Sequence, residues 1–313
     1  MVPLSTAQEP VLSIMILTYN DQEFLTKCLD SLYKNNYKIN FETIVINNGS
    51  SFLLGNLKNR FPNIRWIQNN ENLGFAKAIN QGIKTAQANY ILVLNSDTIL
   101  LPESFLPLIK FMDEHKKAGA AGGKILDPEA VVQPSCRRFP NYLTGLFNRT
   151  SLLTRLFPNN PFSKNYLLSY WDHENIRRVD WVCGAYILFK KEALLDVGCL
   201  DEHYFMYCEE ADWCYRAKKN GWKIYYVPQA RLIHSHRCDV YTPRKIICHH
   251  KSMYRFYCKH LRIPLIFQVL IATGIFLRVT ALLLLYHLGI AFNNFHKTQN
   301  VSNKLSSIKA WHK

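Results

Sequence analysis

The segment YILVLNSD, residues Tyr90 to Asp97, joins the pattern of a buried strand to a polar end. Its first five residues are apolar or aromatic, and Asn95, Ser96 and Asp97 close it. Asn, Ser and Asp are common turn formers, so the tripeptide alone is typical of an ordinary strand end. A carboxylate at a strand tip can equally serve a ligand, and the surrounding sequence decides between the two interpretations.

The region before this segment alternates between strand-like and helix-like patterns. Apolar runs bounded by polar residues predict strands, and apolar residues at helical spacing predict helices. Such alternation implies parallel strands joined by right-handed crossovers. The predicted fold class is therefore α/β, with a mostly parallel, Rossmann-like sheet flanked by helices. The predicted strands are 12–19, 41–48, 64–69 and 90–97, and the predicted helices are 21–35, 53–60 and 74–88.

All four predicted strands end in polar residues. Ligands of parallel sheets bind at the carboxyl ends of the strands, so we expect these ends to line one site. This repetition favours a functional role for Asp97 over simple turn formation. The four ends are Thr18-Tyr19-Asn20-Asp21, Asn47-Asn48-Gly49-Ser50, Asn69-Asn70-Glu71-Asn72 and Asn95-Ser96-Asp97.

A second acidic cluster lies in FMYCEEADWCYRAKKNGW, residues 205–222. Glu209, Glu210 and Asp212 fall in the first turn of a predicted helix, where the helix dipole favours negative charge. The simplest interpretation is a stabilising acidic turn. However, the Phe, Met, Tyr, Cys and Trp residues around these acids would desolvate them and fit at least one of them to act as a base.

The chain resembles the family 2 glycosyltransferases of the rhamnosyltransferase-like branch, which have a GT-A fold and build cell-surface polysaccharides. The resemblance covers residues 12–236 and rests on segments that occur in the family's order. These segments are SIMILTYND, IVINNGS, NENLGFAKAINQG, YILVLNSDT, VDWVCGAYILFKKEAL, VGCLDEHYFMYCEEADWCYRAKKNGW and VPQARLIH.

The resemblance implies a metal-dependent, inverting transfer from a nucleoside-diphosphate sugar. Asn95-Ser96-Asp97 corresponds to the family's variant of the DxD motif, so Asp97 is expected to hold Mg²⁺ or Mn²⁺ on the donor diphosphate. His234 matches a histidine that often completes the metal site, with His236 as a substitute, although a lone histidine after a strand is more often structural. The acidic motif supplies the base, and Glu210 ranks before Glu209 and Asp212 by its place in the motif.

The resemblance also implies donor-binding and acceptor-side residues. Asn47 stands where the family commonly has an aspartate, so the choice between dTDP and UDP donors stays open, as does rhamnose as the sugar. The acceptor is expected to be a glycan or a lipid-linked glycan. The expected donor-binding residues are Thr18, Tyr19, Asn20, Asn47, Asn72, Gly74, Lys77, Asn80, Asn95, Ser96 and Asp97, and the expected acceptor-side residues are Trp181, Gly184 and Ala185.

The positive charge of the chain is concentrated in its C-terminal third. The formal net charge is +15, and residues 216–313 contain 17 Lys and Arg residues against one acidic residue, Asp239. The apolar run from Pro264 to Phe292 has Arg278 as its one formal charge. This combination favours an anionic membrane surface, bound by a monotopic or re-entrant segment because a central arginine is costly in hydrocarbon. A buried helix pair with a solvated basic face is the alternative.

These patterns predict a catalytic domain over 1–240 and a helical, membrane-associating extension over 241–313. Within the domain, residues 11–100 form the nucleotide-sugar half and 101–240 the acceptor half. The opening MVPLSTAQEP lacks the basic start of a secretory signal, and the nine cysteines form no CxxC pair, so we expect a location on the cytoplasmic face of the membrane. Two rival interpretations are a catalytically silent nucleotide-sugar-binding or scaffolding protein of the same fold and nucleic-acid binding through the basic-aromatic segment 249–262.

Overall fold

The computed structural model describes residues 9–50, 54–141, 144, 154, 156–157, 159–235, 242–261 and 264–288. Within these residues the chain forms twelve strands and nine helices. The strands are β1 (Leu12–Thr18), β2 (Phe41–Asn48), β3 (Arg65–Asn69), β4 (Tyr90–Asn95), β5 (Thr98–Leu100), β6 (Ala118–Leu126), β7 (Val132–Gln133), β8 (Cys136–Arg137), β9 (Arg177–Val179), β10 (Trp181–Val182), β11 (Tyr186–Lys190) and β12 (Lys223–His234).

The helices alternate with the strands in the first half of the chain, and the last two helices follow all the strands. They are α1 (Gln22–Lys34), α2 (Gly55–Arg60), α3 (Phe75–Thr85), α4 (Leu106–Glu114), α5 (Pro161–Leu167), α6 (Lys191–Val197), α7 (Glu209–Lys219), α8 (Pro243–His260) and α9 (Leu265–His287).

The main sheet has the order β3-β2-β1-β4-β11-β6-β12-β5, with β7 and β9 added beside β6 and β12. The first four strands are parallel, as the sequence predicts, and their register places Thr18 level with Asn47 and Leu17 level with Asn95. The polar strand ends therefore meet at one edge. Strand β11 lies antiparallel between β4 and β6, whereas β12 is parallel to β6 and antiparallel to β5.

Two layers of helices cover the two faces of this sheet. Along β1, Leu12, Ile14 and Ile16 pack with α1 and α4, whereas Met15 packs with α3, α6 and α7. Side chains that alternate along a strand point to opposite faces, which explains this division. Because β1 is buried on both faces, its sequence is an almost continuous apolar run.

The predicted elements of the first half are confirmed, with ends that differ by a few residues. The helix predicted at 74–88 covers Phe75–Thr85, and the one predicted at 53–60 is described from Gly55. The strand predicted at 90–97 ends at Asn95, so Ser96 and Asp97 form a turn that leads into β5. In the second half, residues Lys223–His234 form the single long strand β12.

The helices α8 and α9 differ sharply in their surroundings. Phe256 of α8 is fully buried in the core of the sheet, and Ser252 of α8 donates a hydrogen bond to the carbonyl of Met206. By contrast, none of the 18-residue apolar window of α9 is buried, and its mean hydropathy is 2.2. By length and composition α9 could cross a membrane, although a single helix of this kind is weak evidence for membrane association. The boundary near residue 240 stays a prediction, and α8 packs as part of the sheet-containing body.

Candidate active site

A cavity of about 720 Å³ opens at the carboxyl ends of β1, β2 and β4. The donor-side wall includes Tyr19, Asn48 and Asn95, which follow or end these strands, and Asn72, which follows β3. The opposite wall comes from the second half of the chain, through segments around β8, β10, α7 and α8 and one residue of α9, Leu282. One cavity therefore joins the donor edge of the sheet to the region beside the apolar C-terminal helix.

Strand pairing brings Asp97 and His234 together on this cavity. Asp97 precedes β5 directly, and the pairing of β5 with β12 aligns Thr98 with His234. The His234 Nε2 atom lies 3.0 Å from Asp97 Oδ1, and both side chains line the cavity. The amide of Ser235 also donates a hydrogen bond to the Asp97 carbonyl, which fixes the turn. The substitute His236 lies outside the described residues.

The Asp97–His234 pair fits a divalent cation by its donor set. A carboxylate oxygen and an imidazole nitrogen are both ligands for Mn²⁺, whereas Mg²⁺ prefers oxygen ligands. No group of three or more His, Cys, Asp or Glu side chains suited to a metal occurs among the described residues. A cation held here would therefore depend on ligands from the donor diphosphate or from water.

Glu209, which is buried, and Glu210, which is half-buried, form an acid pair at the start of α7. The helix begins after Tyr207 and Cys208, which both have positive φ angles, so the chain turns sharply into the cavity wall. The Gly184 amide donates to Glu210 Oε1 over 3.4 Å, whereas Oε2 of each glutamate is buried without a hydrogen-bond partner among the described residues. Burial raises the pKa of Glu210, and burial together with Glu210 raises the pKa of Glu209 well above its usual range. Such a pair can accept a proton from a bound hydroxyl.

Asp212 lies behind the cavity and does not line it. Its fully buried carboxylate accepts hydrogen bonds from Arg216 at 2.9 Å and from His260 at 2.7 Å, and it pairs with Lys259 at 2.7 Å. Although burial alone would raise the pKa of Asp212, these three partners hold it below the usual range. The acidic motif therefore divides by position, with Glu209 and Glu210 on the cavity and Asp212 in an ion-pair network that links α7 to α8.

Some of the expected donor-binding residues line the cavity and others lie away from it. Asn80 donates to the Leu200 carbonyl at 2.9 Å and to Glu202, and Asn47 donates to Gln68 at 3.0 Å. Lys77 and Asn20 are exposed, whereas Thr18 and Ser96 are buried beside the cavity. The expected donor residues that line the cavity are Tyr19, Asn72, Gly74, Asn95 and Asp97.

Gly74 shapes the donor wall through its backbone. Its φ angle of +84° is unfavourable for residues with a side chain, and a Cβ atom at this position would lie 2.5 Å from the Phe205 carbonyl oxygen. Asn72 Oδ1 accepts a hydrogen bond from the Gly74 amide, and Asn48 donates to both residues. Asn48 thus orders this turn and lines the cavity. The sequence prediction named the neighbouring Asn47 as donor-binding and did not name Asn48.

The three expected acceptor-side residues, Trp181, Gly184 and Ala185, all line the cavity. Residues that the sequence did not assign to this site complete the wall. Two of them come from the short elements β8 and α5, and the others come from helices of the predicted extension, which the sequence did not connect with the site. They include Arg137, Tyr166, Lys245, His249, His250 and Leu282.

A mixed, mostly parallel sheet with such a cavity at its carboxyl edge defines a GT-A type of glycosyltransferase fold. The solved structure of GalNAc-T7 with UDP, GalNAc and Mn²⁺ is similar, with a TM-score of 0.58 at 13% identity over 80% of this chain and 48% of that chain. Residues 13–165 match the family described as Glycosyl transferase family 2, and residues 90–293 match Glycosyl transferase family group 2. The chain belongs to the family 2 glycosyltransferases.

Two curated relatives place it near the rhamnosyltransferases. The N-acetylglucosaminyl-diphospho-decaprenol L-rhamnosyltransferase of Mycobacterium tuberculosis (strain ATCC 25618 / H37Rv) is 31% identical over 63% of this chain and 67% of its own length. Rhamnosyltransferase WbbL of Escherichia coli (strain K12) is 25% identical over 78% of this chain and 91% of its own length. The predicted family, its rhamnosyltransferase-like branch and the fold class are thereby confirmed.

Proposed function

We propose that this glycosyltransferase is metal-dependent and inverting, and that it moves rhamnose from a dTDP-sugar to a lipid-linked glycan at the cytoplasmic face of the cell membrane. The observation that carries the proposal is the single cavity that joins the Asp97–His234 pair to the Glu209–Glu210 pair. One pair suits the leaving diphosphate and the other suits the attacking hydroxyl.

The donor half of the cavity suits a nucleoside diphosphate. A divalent cation bound by Asp97 and His234 would neutralise the charge that develops on the leaving diphosphate. The amide side chains of Asn48 and Asn72 and the backbone of Gly74 offer uncharged hydrogen-bonding groups beside it. Tyr19, which is 43% exposed at the rim, offers an aromatic face for the nucleobase.

The acid pair suits a single displacement. A carboxylate takes the proton of the acceptor hydroxyl while its oxygen bonds to the anomeric carbon, and the bond from that carbon to the diphosphate oxygen breaks with its electron pair leaving on the diphosphate. Attack from the face opposite the leaving group inverts the anomeric centre. No covalent link between sugar and protein is needed, so one carboxylate base suffices.

The C-terminal helices support an acceptor that resides at a membrane. Leu282 of α9 lines the same cavity as the acid pair, and large side chains such as Leu265, Phe276 and Leu284 of α9 are more than half exposed. An amphiphilic acceptor can keep its apolar tail along such a helix while its sugar enters the cavity. The basic C-terminal third would add attraction to anionic lipids, at about 1 kcal/mol per basic residue near the surface.

The alternative is a protein of the same fold that binds nucleotide sugars without transferring them. The placement of Glu209 and Glu210 on the cavity disfavours this alternative, because a binding protein gains nothing from two adjacent acids of which one is buried and the other half-buried.

The test is a screen of dTDP-rhamnose and UDP-sugars for Mn²⁺-dependent binding, followed by transfer to a lipid-diphosphate-linked acceptor and determination of the product's anomeric configuration. We expect Glu210→Gln to retain donor binding and to lose about 10²–10⁴-fold in rate, as is typical for a lost general base. Donor binding with no transfer by the unaltered chain would favour the silent alternative. A retained anomeric configuration would rule out the single displacement.

A further inference from the structure

Arg137 stands out among the cavity residues because its side chain contacts two aromatic residues of the same wall. It belongs to the two-residue strand β8, where it pairs with Trp181 of β10. Its guanidinium carbon lies 5.3 Å from the centroid of the Trp181 ring, a cation–π arrangement. Its side chain also donates a hydrogen bond to the Tyr166 hydroxyl. The guanidinium is therefore fixed in the wall that it shares with the acid pair.

The acid pair needs a fixed cation. Two adjacent buried carboxylates cannot both ionise easily, because burial disfavours each charge and each charge disfavours the other. A general base must be ionised to take a proton, so one member of the pair has to be favoured as the anion. The Gly184 amide favours Glu210 by donating to its Oε1 atom. Strand β8 lies directly beside the segment that reaches Glu210, because Arg137 pairs with Trp181 and the Cys183 amide donates to the Ser135 carbonyl at 2.7 Å, and Arg137 and Glu210 line the same cavity. From this position the positive charge of Arg137 favours the anion of Glu210, whereas burial and Glu210 together raise the pKa of Glu209.

Several titratable groups near the pair are neutral near pH 7, whereas Asp21 and the Asp97–His234 pair line the donor side of the same cavity. Burial raises the pKa of Cys183 to about 11 and raises the pKa values of Cys208, Cys214 and Tyr166, so these groups keep their protons. On α8, burial lowers the pKa of His249 to about 3 and also lowers the pKa of His250, so both imidazoles are uncharged. Lys245 of α8 lines the same cavity wall as Arg137.

We propose that Arg137 is the positioning residue that holds Glu210 as the anion of the pair, so that Glu210 rather than Glu209 takes the proton of the acceptor hydroxyl. This inference rests on the proposed transfer reaction and assigns the roles within its acid pair. Glu209 carries the shared proton, Glu210 is the free base, and Arg137 compensates the charge of Glu210 without itself exchanging a proton.

The test measures the protonation of Glu210 directly and through catalysis. In Arg137→Gln the acidic limb of the kcat profile should move to higher pH by about 1–3 units, the range typical for loss of a neighbouring opposite charge. The rate should recover toward that of the unaltered chain at high pH, because the base itself is intact. Arg137→Lys, which retains the cation, should restore most of the profile, and Tyr166→Phe should give a smaller shift in the same direction. Arg138→Gln, an exposed neighbour outside the cavity, should leave the limb in place.

An infrared pH titration reports the protonation of Glu210 without any turnover. The protonated carboxyl bands are assigned by comparison with Glu209→Gln and Glu210→Gln. The Glu210 band should persist to higher pH in Arg137→Gln. A chain that shows this shift but transfers no sugar would refute the proposed function and leave the role of Arg137 standing.

Two outcomes would overturn the inference. In the first, folded Arg137→Gln leaves both the pH of the Glu210 band transition and the acidic limb of the kcat profile unchanged. The same conclusion holds if Lys245→Gln shifts them instead. The other is a loss in Arg137→Gln that is restricted to phosphate-bearing acceptors and equal at every pH, since Arg137 would then bind the acceptor's anion.

Discussion

Replacing Asp212 by Asn should lower the stability of the fold far more than it alters the chemistry. The Asp212 carboxylate is fully buried and is bound by Arg216 of α7 and by Lys259 and His260 of α8. Breaking a buried ion pair by removing one partner typically costs about 3–5 kcal/mol, because the other charge is left uncompensated. The Arg216 and Lys259 side chains keep 23% and 31% of their exposure, so water can partly solvate them and the lower end of that range applies. For a domain of this size, about 3 kcal/mol corresponds to a Tm lower by roughly 6–12 °C.

Urea or thermal unfolding of Asp212→Asn measures this loss. Asp30→Asn is a matched control, since Asp30 pairs with Arg60 at 2.6 Å on the surface, where both side chains are about half exposed. The control should stay within about 1 kcal/mol of the unaltered chain. A Tm unchanged in Asp212→Asn together with abolished transfer would refute the structural assignment and return Asp212 to the catalytic set.

The same residue gives the stability a defined pH dependence. Because the folded-state pKa of Asp212 lies below its unfolded value, its contribution is fully present above about pH 4, the ordinary range of an aspartate. The contribution is lost as the pH falls through the folded-state pKa. The difference in unfolding free energy between the unaltered chain and Asp212→Asn should therefore be constant near neutral pH and shrink in acid, and a difference that grows in acid would contradict this sign.

Three further predictions concern the donor wall, the metal pair and the C-terminal helix. Asp97→Ala should lose most Mn²⁺-dependent donor affinity in calorimetric titrations while keeping its Tm, and retained metal-dependent binding would exclude Asp97 as a ligand. Gly74→Ala should lower stability by roughly 1–3 kcal/mol because of the positive φ angle and the Phe205 contact, whereas Gly55→Ala, where nothing lies within 4 Å of the added methyl group, should not. The full chain should sediment with anionic vesicles and be only partly released by high salt, whereas a chain ending at Leu261 should stay soluble and bind donor; complete release by salt would argue against burial of α9.

The elements of the first half could be predicted from the sequence because their signals are local. The apolar run of β1 and the helical spacing of Leu25, Cys28, Leu29 and Leu32 in α1 each lie within one element. The shared edge of the four polar strand ends then follows from parallel pairing. The placement of Asp97 beside His234 was suggested by the resemblance to the family, since 137 positions separate the two residues.

The rest of the site depends on contacts that no local pattern encodes. Asp212 and Glu210 are two positions apart in one acidic motif, yet they have different partners. Asp212 binds His260 of α8, which is 48 positions away, whereas Glu210 is influenced by Arg137 of β8. Asn80 sits on a strongly periodic helix, and its partner Leu200 is 120 positions distant. Arg137 lies in a two-residue strand, which is too short to show the alternation that predicts strands.

The strand order has a consequence for how the chain is made. β5 ends at Leu100 but pairs with β12, which ends at His234, and β4 pairs on one side with β11, which begins at Tyr186. When residue 100 has left the ribosome, β4 and β5 are therefore present but their partners β11 and β12 have not yet been synthesised. At elongation rates of about 5–20 residues per second, these strand edges stay unpaired for on the order of ten seconds. Unpaired strand edges invite association with other chains, so this interval is when the emerging polypeptide most needs a ribosome-associated chaperone.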